Sequence, residues 1–262
     1  MIEESGSYMY TPSETAEICS KKGIEKVEKN LVAKMLLGFI GGAMISLGYV
    51  SYMKIVATTP EELSFLGTLL GASVFPIGLI VILLAGGELV TGNMVAVSMA
   101  WLNKKIGWQA VVNNWLIITF ANLLGAIFVA FFFGHVVGLT GNGANLHEML
   151  VVADAKLAAT PLQAFVSGIG CNWFVGLGVW LSYGCKDSAG KMIGIWFPIM
   201  IFVLLGFQHS VANMFVLSDA MIEGHIGLSA FLANIIPVYF GNIVGGVAFV
   251  SFPYFMSYQK GH

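Results

Sequence analysis

Two short stretches place polar and titratable groups inside sequence that is otherwise apolar. One is GGELVTGN, holding Gly86, Gly87, Glu88, Thr91, Gly92 and Asn93. The other is GFQHSVAN, holding Gly206, Gln208, His209, Ser210 and Asn213. Both are flanked by runs of Ile, Leu, Val, Phe and Met. A lone histidine in a core is usually a hydrogen-bonded structural residue, but an ionisable group at lipid depth is functional by default. His209 sits in an interruption opposite Thr91. Its imidazole can pair with an anion when charged, or pass a proton to one. Glu88 has two readings: a carboxylate that caps backbone N–H groups freed by a helix break, or a group facing a pore. No other constellation competes. The chain has no HExxH, no Gly-x-Ser-x-Gly and no phosphate loop. His135, His147, His225 and His262 fall at span ends, in loops or at the terminus, and Cys19, Cys171 and Cys185 form no CxxC pair. The sequence therefore points to no enzyme and calls for no cofactor or metal.

The elements that must position these groups lie in a bilayer. The chain has 262 residues, of which 57% are hydrophobic and 10% charged; soluble domains carry about 25% charged residues. Mean hydropathy is +0.84. Apolar runs of roughly 20 residues, the length that spans a bilayer, recur throughout. We expect an all-α polytopic membrane protein. All 12 basic residues are lysines, so no bidentate guanidinium clamp exists; the net charge of −2 says nothing about partners, and no nucleic-acid partner is expected.

An amphipathic helix over 11–28, opened by a capping box at Thr11, Pro12 and Glu14, is expected at the membrane surface. Six spans are expected to follow, near 31–56, 59–102, 108–137, 160–183, 193–217 and 228–258. Capping boxes are read at Thr59–Glu62 and at Thr160–Gln163. The second and fifth spans are interrupted at the two polar stretches. The domain plan is a cytoplasmic segment over 1–30, a channel domain over 31–258 (repeat one 31–138, repeat two 157–258), and a cytoplasmic tail over 259–262. With the N-terminus inside, Lys21, Lys22, Lys26, Lys29, Lys104, Lys105, Lys186, Lys191 and Lys260 face the cytoplasm. Only Lys54 and Lys156 face outside, and that asymmetry sets the orientation. Lys156 reads either as a solvated loop lysine or as a cation at an outer vestibule that draws in small anions.

The chain repeats itself. FPIGLIVILLAGGELVTGNM (75–94) aligns with FPIMIFVLLGFQHSVANM (197–214) with one two-residue gap, and ANLLGA (121–126) aligns with GNIVGG (241–246). Three spans per half is an odd number, so the second half enters from the opposite side. This is an inverted 3+3 repeat, which brings broken helices together near the midplane. Gly38–Gly42, Gly67–Gly71 and Gly241–Gly245 have the spacing of helix-packing surfaces.

The two break motifs in their relative places, the six spans, the N-terminal helix and the repeat together resemble the formate/nitrite transporter family, over nearly the whole chain. The resemblance implies an aquaporin-like fold, a homopentamer with one pore per protomer in the cytoplasmic membrane of a prokaryote, and a small monovalent anion as substrate. Formate comes first, with nitrite or hydrosulfide as alternatives and proton symport as an alternative to a passive channel. It implies that Thr91 and His209 form the central polar pair, with Asn172 and Asn213 bonding nearby and Lys156 in the outer vestibule. Leu89 and Phe202 would narrow the pore on one side, and Phe75 and Leu79 on the other. The N-terminal helix would be a movable cytoplasmic gate. Many formate channels carry Glu where Gln208 stands, and a glutamine cannot favour a charged histidine as a carboxylate does. A non-transporting scaffold or a neutral-solute channel is the rival class; the Asn-Pro-Ala pair of aquaporins is absent.

Overall fold

The computed structural model describes residues 8–259, most of which are helical. The leading residues 1–7 and residues 260–262, Lys260 among them, lie outside the described residues. Five helices are long and apolar enough to cross a membrane: Leu31–Thr58, Glu61–Gly86, Trp108–Val136, Pro161–Gly184 and Leu228–Tyr258. Three shorter apolar helices, Val90–Leu102, Ser188–Leu204 and Ser210–Ile222, accompany them.

Helix α1 (Pro12–Glu28) begins with the expected capping box: Thr11 Oγ1 accepts from Glu14 N, and the Glu14 carboxylate accepts from Thr11 N at 2.8 Å. It does not lie free on a membrane surface. Ala16, Cys19 and Gly23 are buried, and a Cβ at Gly23 would clash with Ala96 O. A small-residue face lets α1 seat directly on the backbone of α5 (Val90–Leu102).

Helix α2 (Leu31–Thr58) forms the first span. The capping box expected at Thr59 does not form. Thr59 Oγ1 donates to Ile55 O at 2.7 Å and so ends α2 rather than starting the next helix. The chain turns through a short 3₁₀ segment, Glu61–Leu63, into α3 (Ser64–Val74), α4 (Ile77–Val81) and a π-helical turn, Ile82–Gly86. After an extended stretch α5 resumes. Helix α6 (Trp108–Phe128) continues as a π-helix to Val136.

Residues 143–157, between the third and fourth expected spans, form helix α7 (Gly143–Leu157). It is too short and too charged to span, and it is secured by Met149 and Ala153, both fully buried. Helix α8 (Pro161–Gly184) carries the Thr160–Gln163 capping box as expected. Helix α9 (Ser188–Leu204) and α10 (Ser210–Ile222) follow, separated by an interruption. Helix α11 (Leu228–Gly246), a π-turn (Val247–Ser251) and α12 (Phe252–Tyr258) close the chain. The GxxxG surfaces pack helix against helix: Gly38 and Gly42 meet Ala121 and Asn122 of α6, and Gly241 and Gly245 meet the backbone of α8.

Candidate functional site

The site is built from the two interruptions. Each is preceded by a glycine with positive φ, Gly86 at 102° and Gly206 at 70°, a conformation that ends a helix and that side chains with a Cβ rarely adopt. The chain then runs extended and re-enters a helix. Leu89 (φ −119°) is the N-cap of α5 and His209 (φ −103°) the N-cap of α10. Gly92 and Asn93, read as part of the first interruption, lie inside α5.

The freed N–H groups are satisfied by asparagines that the sequence reading passed over. Asn122 Oδ1 accepts from Val90 N at 3.0 Å, while its Nδ2 donates to Gly38 O and Glu88 O. Asn242 repeats this in the second half: Oδ1 accepts from Ser210 N at 2.9 Å, and Nδ2 donates to Gly168 O and Gln208 O. The signal was present, since both asparagines sit in the aligned ANLLGA and GNIVGG segments. Glu88 therefore does not cap the break with its carboxylate. That carboxylate accepts from Lys26 Nζ at 3.0 Å and Asn93 Nδ2 at 2.8 Å, and pairs with Lys29 Nζ at 3.2 Å.

A second parallel surrounds it. Asn93 Nδ2 also donates to Asn114 Oδ1, and Asn114 Nδ2 donates to Lys26 O. In the other half Asn213 Nδ2 donates to Gln208 Oε1 and Asn234 Oδ1, and Asn234 Nδ2 donates to Lys156 O. Helix α7 thus stands to the second interruption as α1 stands to the first. The charges differ. Glu88 faces two lysines, whereas the amide of Gln208 leaves Lys156 without a carboxylate.

At the centre His209 Nε2 and Thr91 Oγ1 are 2.9 Å apart. Both residues are buried. His209 Nδ1 accepts from Ala212 N at 3.1 Å, so the ring in this arrangement is neutral and carries its proton on Nε2, directed at Thr91. Asn172 touches neither ring nitrogen. Its Nδ2 donates to Asn242 O at 2.7 Å and Thr91 O at 3.2 Å and so braces the pair. Asn213 reaches the site through Gln208.

Two cavities carry lysines in their walls, and one of them reaches His209. One, about 190 Å³, is lined by Tyr49, Lys156, Phe75, Phe202, Gln208 and His209 among others. Lys156 Nζ lies 5.6 Å from the Tyr49 ring centroid. Burial pulls this ammonium down to about 8, because removing water disfavours the charged form. The other cavity, about 200 Å³, is lined by Lys22, Lys26, Lys29, Gly86, Gly87 and Glu88 among others. The expected pairing of constrictions changes. Phe75 and Phe202 face each other edge to face, centroids 5.8 Å apart, and both line the Lys156 cavity. Phe75 stands at the turn between α3 and α4, and Leu79 lies within α4. Leu79 and Leu89 are buried in the same apolar cluster as Phe75 and Phe202. A larger, mainly apolar groove of about 940 Å³, lined by Leu162, Trp173 and Phe249 among others, has no charged wall and meets the Lys156 cavity at Phe207. Among the described residues no group of three or more His, Cys, Asp or Glu side chains is placed to hold a metal ion.

The family model described as formate/nitrite transporter matches residues 13–256. The chain belongs to the formate/nitrite transporter family. This is a family of transporters and not of enzymes. A relative named formate channel BtFdhC, from Bacillus thuringiensis, is 47% identical over 253 residues, covering 97% of each chain. A solved structure titled FNT family ion channel superposes with a TM-score of 0.86 at 24% identity, covering 94% of this chain and 99% of that one, and establishes the fold. Another, titled pentameric formate channel with formate bound, superposes with a TM-score of 0.75 at 30% identity, covering 88% and 98%.

Proposed function

We propose that this formate/nitrite transporter family member conducts small monovalent anions of weak acids, formate first, and that His209 exchanges a proton with the substrate. The observation that carries the reading is the 2.9 Å contact between His209 Nε2 and Thr91 Oγ1, set between two lysine-lined cavities and behind the Phe75–Phe202 pair. Relatives named formate channel support formate as the substrate. The asparagine–lysine networks, alike in the two halves, support an inverted 3+3 repeat with an aquaporin-like arrangement. The lysine excess supports cytoplasmic termini in the inner membrane of a prokaryote, and the pentameric neighbour supports a homopentamer. The Lys26 and Lys29 pairs to Glu88 tie α1 over the cytoplasmic cavity and fit a gate.

An anion is drawn to Lys156 from outside, or to the lysine face from inside. It loses water between apolar rings, at a cost of several kcal/mol for a bare carboxylate. At the centre it meets the Thr91 hydroxyl and the His209 Nε2–H. A neutral ring cannot give up that proton readily. The ring first takes a proton on Nδ1 from solvent in the Lys156 cavity that it lines, giving up the Ala212 cap at roughly 1 kcal/mol. It then passes the Nε2 proton to the anion, which crosses as a neutral acid and returns the proton to Nε2. A carboxylic acid of pKa about 4 is neutral only about once in 10³ at pH 7, so donation at the site raises the flux.

Side-by-side flux of formate, nitrite and hydrosulfide in proteoliposomes tests the reading, with proton movement recorded at the same time. Formate is expected to move fastest. Formate flux no greater than in protein-free liposomes, or permeation of sorbitol at a comparable rate, would overturn it.

A further inference from the structure

A second basic cavity, of about 270 Å³, adjoins the Glu88 cavity without being part of the path to His209. Its walls include Tyr10 ahead of α1, Lys21 and Lys22 of α1, Tyr183 near the end of α8, and Lys186 and Lys191 at the α8–α9 connection. The backbone there is fixed. Tyr10 N donates to Gly184 O at 2.8 Å and Lys186 N to Tyr8 O at 3.0 Å, around an antiparallel bridge between Met9 and Cys185. Lys186 Nζ is held 4.8 Å from the Tyr10 ring centroid.

The charge is unbalanced. Lys22 pairs with Glu25 at 2.7 Å. Among the described residues Lys21, Lys186 and Lys191 make no salt bridge; Glu14 and Asp187 stand nearby, accepting from Thr11 and from Gly190 N, but neither lines the cavity. Among the described residues, four lysines thus line one cavity with a single carboxylate, Glu25, in its wall. A monovalent anion cannot neutralise them. An anion with several oxygens and more than one negative charge can accept from several lysines at once, and lysine serves phosphate as a point charge.

We propose that this cavity binds a phosphate-bearing anion. Two sources share that chemistry: the headgroup of an anionic lipid, which attracts lysines near the cytoplasmic leaflet, and soluble phosphate. The occupant bridges α1 to the α8–α9 connection and so holds the N-terminal helix in place. The proposal does not depend on which anion the pore conducts.

The full-length protein tests it in two arms. In detergent, the thermal midpoint is followed while inorganic phosphate is titrated at constant ionic strength against chloride. In lipid, native mass spectrometry counts the phosphatidylglycerol retained from phosphatidylglycerol vesicles, with phosphatidylcholine vesicles as reference. Lys186→Gln with Lys191→Gln is compared with Lys104→Asn with Lys105→Gln, an equal loss of charge outside the cavity. The first pair is expected to weaken binding about thirtyfold, about fivefold per lysine, and the second to leave it unchanged. Should the first pair unfold early without phosphate, Lys21→Gln, exposed on α1, replaces it with about a fivefold loss expected. A response to phosphate alone assigns the soluble source, and a response to phosphatidylglycerol alone the lipid. No response to either, or equal losses in both pairs, overturns the proposal.

Discussion

His209 is held by two different nitrogens, and each restricts the ring. Nδ1 caps α10 through Ala212 N, and Nε2 meets Thr91. Asparagine is a strong N-cap and offers an amide donor, but it does not titrate. His209→Asn therefore separates the proton from the scaffold. Formate flux into proteoliposomes is expected to fall at least tenfold at pH 7 and to lose its rise with acidity, while the thermal midpoint stays near that of the parent. An unchanged rate and pH profile removes the proton from the mechanism. Lys156 titrates near 8, and its sign is that of a base. The ammonium is present below that pH and lost as pH rises through it. Lys156→Arg stays charged throughout. The ratio of parent to variant uptake, which cancels the acidity of the substrate itself, is expected to fall above external pH of about 8. A flat ratio across the series removes Lys156 from anion capture.

Each broken element depends on a side chain from another helix. Asn242 serves Ser210 N, Gly168 O and Gln208 O at once. Truncating it leaves buried groups unpaired at roughly 1–3 kcal/mol each. Asn242→Ala is expected to lower stability by about 2–5 kcal/mol and to reduce flux by displacing His209; a thermal midpoint within a degree of the parent shows that the break holds itself. How much the sequence reveals follows the same line. Spans such as 108–136 and 228–258 were legible because hydropathy and length decide them locally. The interruptions were legible because glycine, polar residues and an internal repeat coincide there. Asn122 and Asn242 were not singled out, because an asparagine in an apolar helix shows no partner until another backbone is brought against it. Helix α7 was left unassigned because the search was for spans of about 20 residues, and this shorter helix, anchored by buried Met149 and Ala153, falls below that length. The Thr59 box misled because a threonine hydroxyl can equally close the preceding turn.

Over the whole molecule, every group of the candidate path comes from one chain: Lys156 and the Phe75–Phe202 pair, then Thr91 with His209, then Glu88 with Lys26 and Lys29. If this path is the one used, the proposed pentamer is expected to hold five independent pores. Mixed assemblies make this measurable. Thr91 is fully buried, and Thr91→Trp places an indole at the central polar pair. Coexpressing tagged blocked chains with parent chains, and purifying assemblies by their ratio of tags, gives a series of defined mixtures. With one path per protomer, formate flux falls in direct proportion to the blocked fraction. A single path running between the five chains would instead leave flux independent of the blocked fraction, because an indole at Thr91, buried inside its own chain, cannot reach a channel between chains. Proportional loss thus supports five separate pores, and flux that does not change with the blocked fraction overturns them in favour of a central one.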